Sequence, residues 1–187
     1  MSLLVMATAC SNPRSFVAVP TQPGAAPIVA SAFLSSDVVT QGNSVGAYGS
    51  EGNIIALQPS TQPSYAYVSE VNDLLYNWAS NTTTISALQY GTSRQATCFY
   101  SGTSFSLDVF MLDGAAHHVS LYLVDFDHQS RAETVTVSKL DGTIVDVQTI
   151  SNFSGGVWLT YRLVGDNIIT ISRTAGVNAV LSGIFFN

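Results

Sequence analysis

Residues 103–125, TSFSLDVFMLDGAAHHVSLYLVD, decide the fold. Phe105, Leu107, Val109 and Met111 alternate with Ser104, Ser106, Asp108 and Phe110. A period of two sends successive side chains to opposite faces of a strand, so one face is buried and the other is mostly polar. Asp113-Gly114 then marks a turn, and Val119, Leu121 and Leu123 share a face of the next strand.

Outward from this pair the same rhythm continues. Strands are expected at 132–140, 143–150, 157–164, 167–173 and 179–186, with shorter ones at 65–68, 74–78 and 96–100. Asp141-Gly142 is a strong two-residue hairpin signal, and Gly165-Asp166 is a second candidate hairpin. No long helical periodicity interrupts the series. Roughly eight to ten short strands imply an all-β, antiparallel β-sandwich of jelly-roll type over residues 42–187.

Residues 1–41 read differently. Four of the six prolines (Pro13, Pro20, Pro23, Pro27) fall here among small residues, with β-prone runs at 16–19 and 28–34. This is an extended N-terminal arm, too apolar for a solvated linker, because Val17, Val19, Ile28, Val29, Phe33 and Leu34 gain nothing by staying in water. It is expected to lie on its own domain, on a neighbouring copy or on another protein. The opening MSLLVMATAC resembles the end of a signal peptide but lacks a basic leading region and is short, so processing is not expected.

Composition narrows the function classes. Of 187 residues, 47% are hydrophobic and only 10% charged, so the surface is covered mainly by neutral hydrogen-bonding side chains. Six Lys and Arg scattered through a chain of net charge −6 leave no basic patch for phosphates, which argues against nucleic acid and anionic membranes. Two cysteines, Cys10 and Cys98, are too few for a disulfide framework. A buried thiol is expected at Cys98, and the sequence leaves open whether it bridges to Cys10.

Candidate chemistry concentrates at Asp125-Phe126-Asp127-His128 with Arg131 and Glu133. Three readings compete: an acid–arginine pair bracing a loop, hydrogen bonding to a sugar, and calcium held through carboxylates and carbonyls. The segment does not supply ligands in the order of a known calcium loop, so no metal site is assigned. His117 and His118 are adjacent, point to opposite faces and cannot share one metal. No G-x-S-x-G, H-E-x-x-H or phosphate loop is present, and no catalytic residue is assigned. Trp158 shares a strand face with Thr160 and Arg162, which makes it the leading candidate for an exposed aromatic platform or an interface anchor.

Several motifs occur together in a recognisable order: Tyr48-Gly49, Gly52-Asn53-Ile54-Ile55, Pro63-Ser64-Tyr65-Ala66, Tyr76-Asn77-Trp78-Ala79, Ala87-Leu88-Gln89 and Cys98-Phe99-Tyr100-Ser101. They continue through Asp113-Gly114, His118, the run Leu121 to Asp127, Arg131, the run Ser151 to Gly156, and Asn178 to Phe186. From about Gly42 to Asn187 the chain thereby resembles the jelly-roll, carbohydrate-binding-module-like C-terminal domains of secreted bacterial polysaccharide-acting and surface proteins. That resemblance implies a non-catalytic sandwich with a sugar-binding surface, and it implies that His118 is structural and partly buried, leaving His117 exposed. Similar domains carry Trp-Lys where this chain has Ser44-Val45, so either a sugar platform is lost here or a plug at the sandwich edge is replaced by the arm.

Two functional expectations follow. In the first, the chain is a structural or adhesion module of an oligomeric assembly, such as a decoration or cement protein on a phage virion. Its arm docks on other protein subunits and its sandwich faces outward, where it could also bind glycan. In the second, it is a polysaccharide-binding accessory module of a secreted bacterial enzyme or surface protein. The candidate glycan contacts are Trp158, Arg162, Asp125, Asp127 and Arg131, and the location is a virion surface or an extracellular cell surface.

Overall fold

A computed structural model describes residues 29–187. In chain order the strands are β1 (Ala32–Asp37), β2 (Gly52–Ile55), β3 (Ala66–Val71), β4 (Leu74–Ser80), β5 (Leu88–Tyr90), β6 (Ser93–Ser101) and β7 (Ser104–Met111). They continue with β8 (Ala116–Leu123), β9 (Ala132–Ser138), β10 (Ile144–Ser151), β11 (Val157–Val164), β12 (Asp166–Ala175), β13 (Ala179–Leu181) and β14 (Gly183–Phe186). Two five-stranded antiparallel sheets, β1-β11-β8-β14-β2 and β10-β9-β12-β7-β3, face each other, and a smaller sheet, β13-β6-β4, carries β5 on β6. Among the described residues no helix is long and apolar enough to cross a membrane.

The alternation in 103–125 places the core as the sequence implies. Phe105, Leu107, Val109 and Met111 are buried from β7, and Val119, Leu121 and Leu123 meet them from β8 in the opposite sheet. Val135, Val137, Ile169 and Ile171 extend this core along β9 and β12. Burying so many branched and aromatic side chains, at about 1.5–3 kcal/mol each, is the main stabilising term.

Two local readings meet the tertiary structure differently. Asp141-Gly142 closes the β9–β10 hairpin, with the Lys139 N–H donating to Thr143 O at 2.9 Å and Gly142 at φ 85°. Gly165-Asp166 is not a hairpin: β11 belongs to one large sheet and β12 to the other, so the dipeptide is a corner between sheets. A Gly-Asp pair looks alike in both settings, since only the positive φ of 58° is local.

Part of the stretch assigned to the arm lies on its own sandwich. β1 is an edge strand paired antiparallel with β11, Ala32 opposite Arg162 and Asp37 opposite Trp158. Its entry is held by a polar knot in which Lys139 Nζ donates to Ser31 Oγ (2.8 Å), Val164 O (2.6 Å) and Asn167 Oδ1 (2.9 Å). The Val164 N–H also donates to Ser31 Oγ at 3.0 Å. The run 16–19, Cys10 and the rest of 1–28 lie outside the described residues.

β8 departs from simple alternation because both its faces are covered. Tyr122 on its outer side joins Ile55, Leu88, Val124, Trp158 and Phe185 in a second apolar cluster behind the sheet. The cover is the segment after β1, drawn against β5: Gly42 N–H donates to Ile85 O and Gln89 N–H to Gly42 O, both at 3.0 Å. A Cβ at Gly42 would stand 2.0 Å from Ala87 O, so only glycine permits this approach.

Candidate functional site

Trp158 belongs to that second cluster and is fully buried. Its ring is stacked under Tyr48 at 3.8 Å and 12°, meets Phe185 edge-on at 4.9 Å, and sends its indole N–H to Gln41 O at 2.7 Å. Tyr48 is pinned in turn by donating to Asp37 Oδ2 at 2.9 Å. The expectation of an exposed platform is therefore corrected: alternation identified the outer face, but a segment distant in sequence covers it. Arg162, on the same face, donates from Nε to Ala30 O at 3.0 Å, so it grips the chain entering β1.

The other three candidate residues do converge. In the loop after β8, His128 and Ser130 adopt positive φ (56° and 54°), curling the chain so that Arg131 turns back on Asp125 and Asp127. Its Nη1 bonds both carboxylates, and its Nε donates to Asn178 Oδ1 at 2.6 Å. Asp125 also accepts the Gln129 N–H (3.0 Å) and the Arg131 N–H (3.3 Å), which makes it the inner brace. Burial alone would raise the carboxyl of Asp127, yet bonding to Arg131 holds it below its usual range. Its side chain keeps 38% exposure, leaving lone pairs for an outside donor.

Asp127, Arg131 and Asn178 form one wall of a groove of about 290 Å³, with Asp125 buried behind it. The opposite wall is aromatic. Tyr76 and Trp78 project from β4, Tyr100 from β6, and Cys98 lies directly across from Tyr76 in the register. Because Cys98 is small and buried, a depression remains between larger neighbours. The rings of Trp78 and Tyr100 stand nearly perpendicular to Tyr76 (76° and 84°), and the Arg131 guanidinium carbon lies 5.4 Å from the Trp78 centroid. Tyr76 is 51% exposed. Such a corner offers aromatic faces to C–H groups and fixed polar atoms to hydroxyls.

Sequence reasoning found the polar wall but assigned no role to Tyr100 or Asn178. Their places depend on β13 and β4 both pairing with β6, which puts Val180 opposite Tyr100 and Leu74 opposite Tyr100 on its other side. Leu74-x-Tyr76-x-Trp78, three large apolar side chains on one face of a strand none of whose residues is fully buried, was the available signal. Among the described residues no cluster of three or more His, Cys, Asp or Glu is placed to hold a metal ion. The Arg131 guanidinium already sits between the carboxylates where a cation would bind.

The two histidines reverse their expected roles. His117 is the partly buried one, stacked on Tyr65 at 3.6 Å and 9° and paired with Asp113 at 3.0 Å, whereas His118 is exposed. Parity predicts opposite faces without saying which face Tyr65 covers.

Behind the groove, Glu133 is fully buried. Its Oε2 accepts the Val180 N–H at 2.8 Å, while Oε1 has no partner among the described residues. Burial dominates over that bond and over Arg131, pushing its pKa up to about 8. The unfolded chain releases this proton near pH 4.5 and the folded chain holds it to about 8, so the unfolded state binds fewer protons in that window. The contribution of Glu133 to stability is thus fullest below pH 4.5 and falls as pH rises to about 8, by roughly 1.4 kcal/mol per pH unit at most. Glu133→Gln keeps an acceptor for Val180 and removes the titration. Urea unfolding at pH 5, 6.5 and 8 should show a flatter profile for the variant; parallel profiles would show that Glu133 stays ionised in the fold.

No protein-family model and no curated protein matches the chain. Among solved structures, it is similar to TmCBM61 in complex with β-1,4-galactotriose, at 14% identity and a TM-score of 0.37, over 66% of this chain and 88% of that one. It is also similar to a family 35 carbohydrate-binding module from Clostridium thermocellum, at 12% identity and a TM-score of 0.38, over 72% and 96%. A third likeness is to an exo-β-1,3-galactanase from Phanerochaete chrysosporium with β-1,3-galactotriose, at 16% identity and a TM-score of 0.35, over 68% of this chain and 30% of that one.

Proposed function

We propose that the chain is a non-catalytic polysaccharide-binding module that attaches its bearer to glycan outside the cell. The observation that carries this reading is the groove itself, in which exposed Tyr76 and half-buried Trp78 and Tyr100 face a fixed Asp127–Arg131–Asn178 wall across the Cys98 depression. Aromatic faces with planar polar groups opposite them suit a pyranose ring, whose C–H face stacks while its hydroxyls bond. With Asp125 buried behind the wall, two carboxylates stand against the single Arg131, so the local charge is negative, which favours uncharged sugars over uronates.

The groove supports this second expectation, whereas the virion decoration reading asks the arm of residues 1–41 to dock on other subunits, and its part at Ala32–Asp37 pairs with β11 of its own sandwich. Titration calorimetry and affinity-gel electrophoresis on neutral polysaccharides test the reading. Tyr76→Ala should weaken binding by roughly tenfold or more while changing stability little, since the side chain is half exposed. Asp127→Asn should weaken it in the same direction. Absence of retardation on every polysaccharide tried would end the proposal.

A further inference from the structure

A larger cavity, about 490 Å³, lies apart from the groove and shares none of its lining residues. It opens between the segment Ser44–Ser50, the β5–β6 turn, and the ends of β2 and β14. Ile55 and Phe185 contribute apolar surface, and Tyr48 and Tyr90 contribute rings. Among the described residues its polar lining contains no charged side chain and is dominated by three carboxamides, Asn53, Gln89 and Asn187.

Two of these amides have a fixed orientation. Gln89 Oε1 accepts the Val45 N–H at 3.1 Å, and Asn187 Oδ1 accepts the N–H groups of Gly49 (2.8 Å) and Ser50 (3.2 Å). A backbone N–H can only meet the oxygen end of an amide, so the NH2 ends of Gln89 and Asn187 are the ends left over. Neither NH2, nor the Asn53 amide, has a hydrogen-bond partner among the described residues. These are oriented neutral donors in a cavity of ligand-binding size.

The cavity also continues. A second one, of about 340 Å³, shares Gln89 and Gly91 with it and adds Thr82, Thr83, Thr92 and Ser93. Gly91 forms the saddle, and a Cβ there would meet nothing within 4 Å. Arg94, the one charged side chain in this extension, already donates to Ala87 O (2.9 Å), Ile85 O (3.2 Å) and Asn43 Oδ1.

We infer that this pair of cavities is a second binding site, for an uncharged oligosaccharide long enough to lie across Gly91. Donor amides match hydroxyl and ring oxygens, the tyrosines match C–H faces, and the larger cavity has, among the described residues, no charged side chain to neutralise a carboxylate; Arg94, in the extension, spends three hydrogen bonds on neutral oxygens of its own chain. The site does not depend on the Tyr76 groove. If both bind, one chain holds two glycan segments, and its avidity for a polysaccharide exceeds that of either site.

Amide chemical shifts of the wild-type protein decide the matter when it is titrated with β-1,4-linked tetraoses of glucose, mannose, galactose and xylose, and with tetragalacturonate. At least one neutral tetraose should shift Val45, Gly49, Tyr90 and Gly91, and tetragalacturonate should not. Asn53→Ala with Gln89→Ala should weaken those shifts at least tenfold without altering any at Tyr76, Cys98 and Tyr100. Shifts confined to Tyr76, Cys98 and Tyr100 would overturn the second site and leave the groove standing. Shifts confined to the cavity would do the reverse, and no shift with any tetraose would overturn both. Equal binding of tetragalacturonate at the cavity would overturn its assignment to uncharged sugars.

Discussion

Trp158→Ala should cost about 3–5 kcal/mol of folding stability, measured by urea or thermal unfolding. The fully buried indole joins Tyr48, Tyr122 and Phe185 and holds the Gln41 carbonyl. Removing it leaves a cavity behind the sheet and an unpaired acceptor, and it also frees Tyr48 from the surface on which it stacks. A domain of this size has on the order of 5–15 kcal/mol in total, so the variant should retain little margin. Trp158→Phe, which keeps most of the volume but not the N–H, should lose less. A Trp158→Ala protein with unchanged unfolding would mean that the cover over the sheet is not formed.

The second large effect is expected at Arg131. Asp125 and Arg131 have side-chain exposures of 6% and 3%, and removing one partner of a buried pair strands the other charge, typically at 3–5 kcal/mol. Arg131→Met should therefore destabilise the protein by about that amount at neutral pH. Part of the loss should return in acid, where the stranded carboxylates take up protons, and part should return in Asp125→Asn/Arg131→Met, which removes the buried charge. The double variant separates two roles of the loop. Restored folding without restored glycan binding would identify Arg131 as part of the binding wall as well as a brace. A single variant as stable as wild type would show that water reaches Asp125.

How much of this was legible depended on the range of the information. The core of β7 and β8 could be read from residues 103–125 because strand parity is local and each inward residue is itself apolar. The Asp141-Gly142 hairpin was equally local. Trp158 was misplaced because parity names two faces of β11 without saying what covers the outer one. The answer lies in Gly42, more than a hundred residues earlier, where it packs on Ala87. Asp125, Asp127 and Arg131 could be picked out by their density in one short loop. Tyr76, Tyr100 and Asn178 come from three segments joined only by the pairing of β4, β6 and β13, so no sequence window contains the site.

The knot at Ser31 bears on how the module would behave under tension. A pull arriving along the chain from residue 29 meets the grip of Arg162 on Ala30 and the bonds of Ser31 Oγ with Lys139 Nζ, the Val164 N–H and Asn167 Oδ1 before it reaches the β1–β11 ladder. Those contacts would share the load first, as a stitch does at the end of a seam. If they held, an edge strand that would otherwise peel open from its end would stay seated while a bound polysaccharide is dragged by flow.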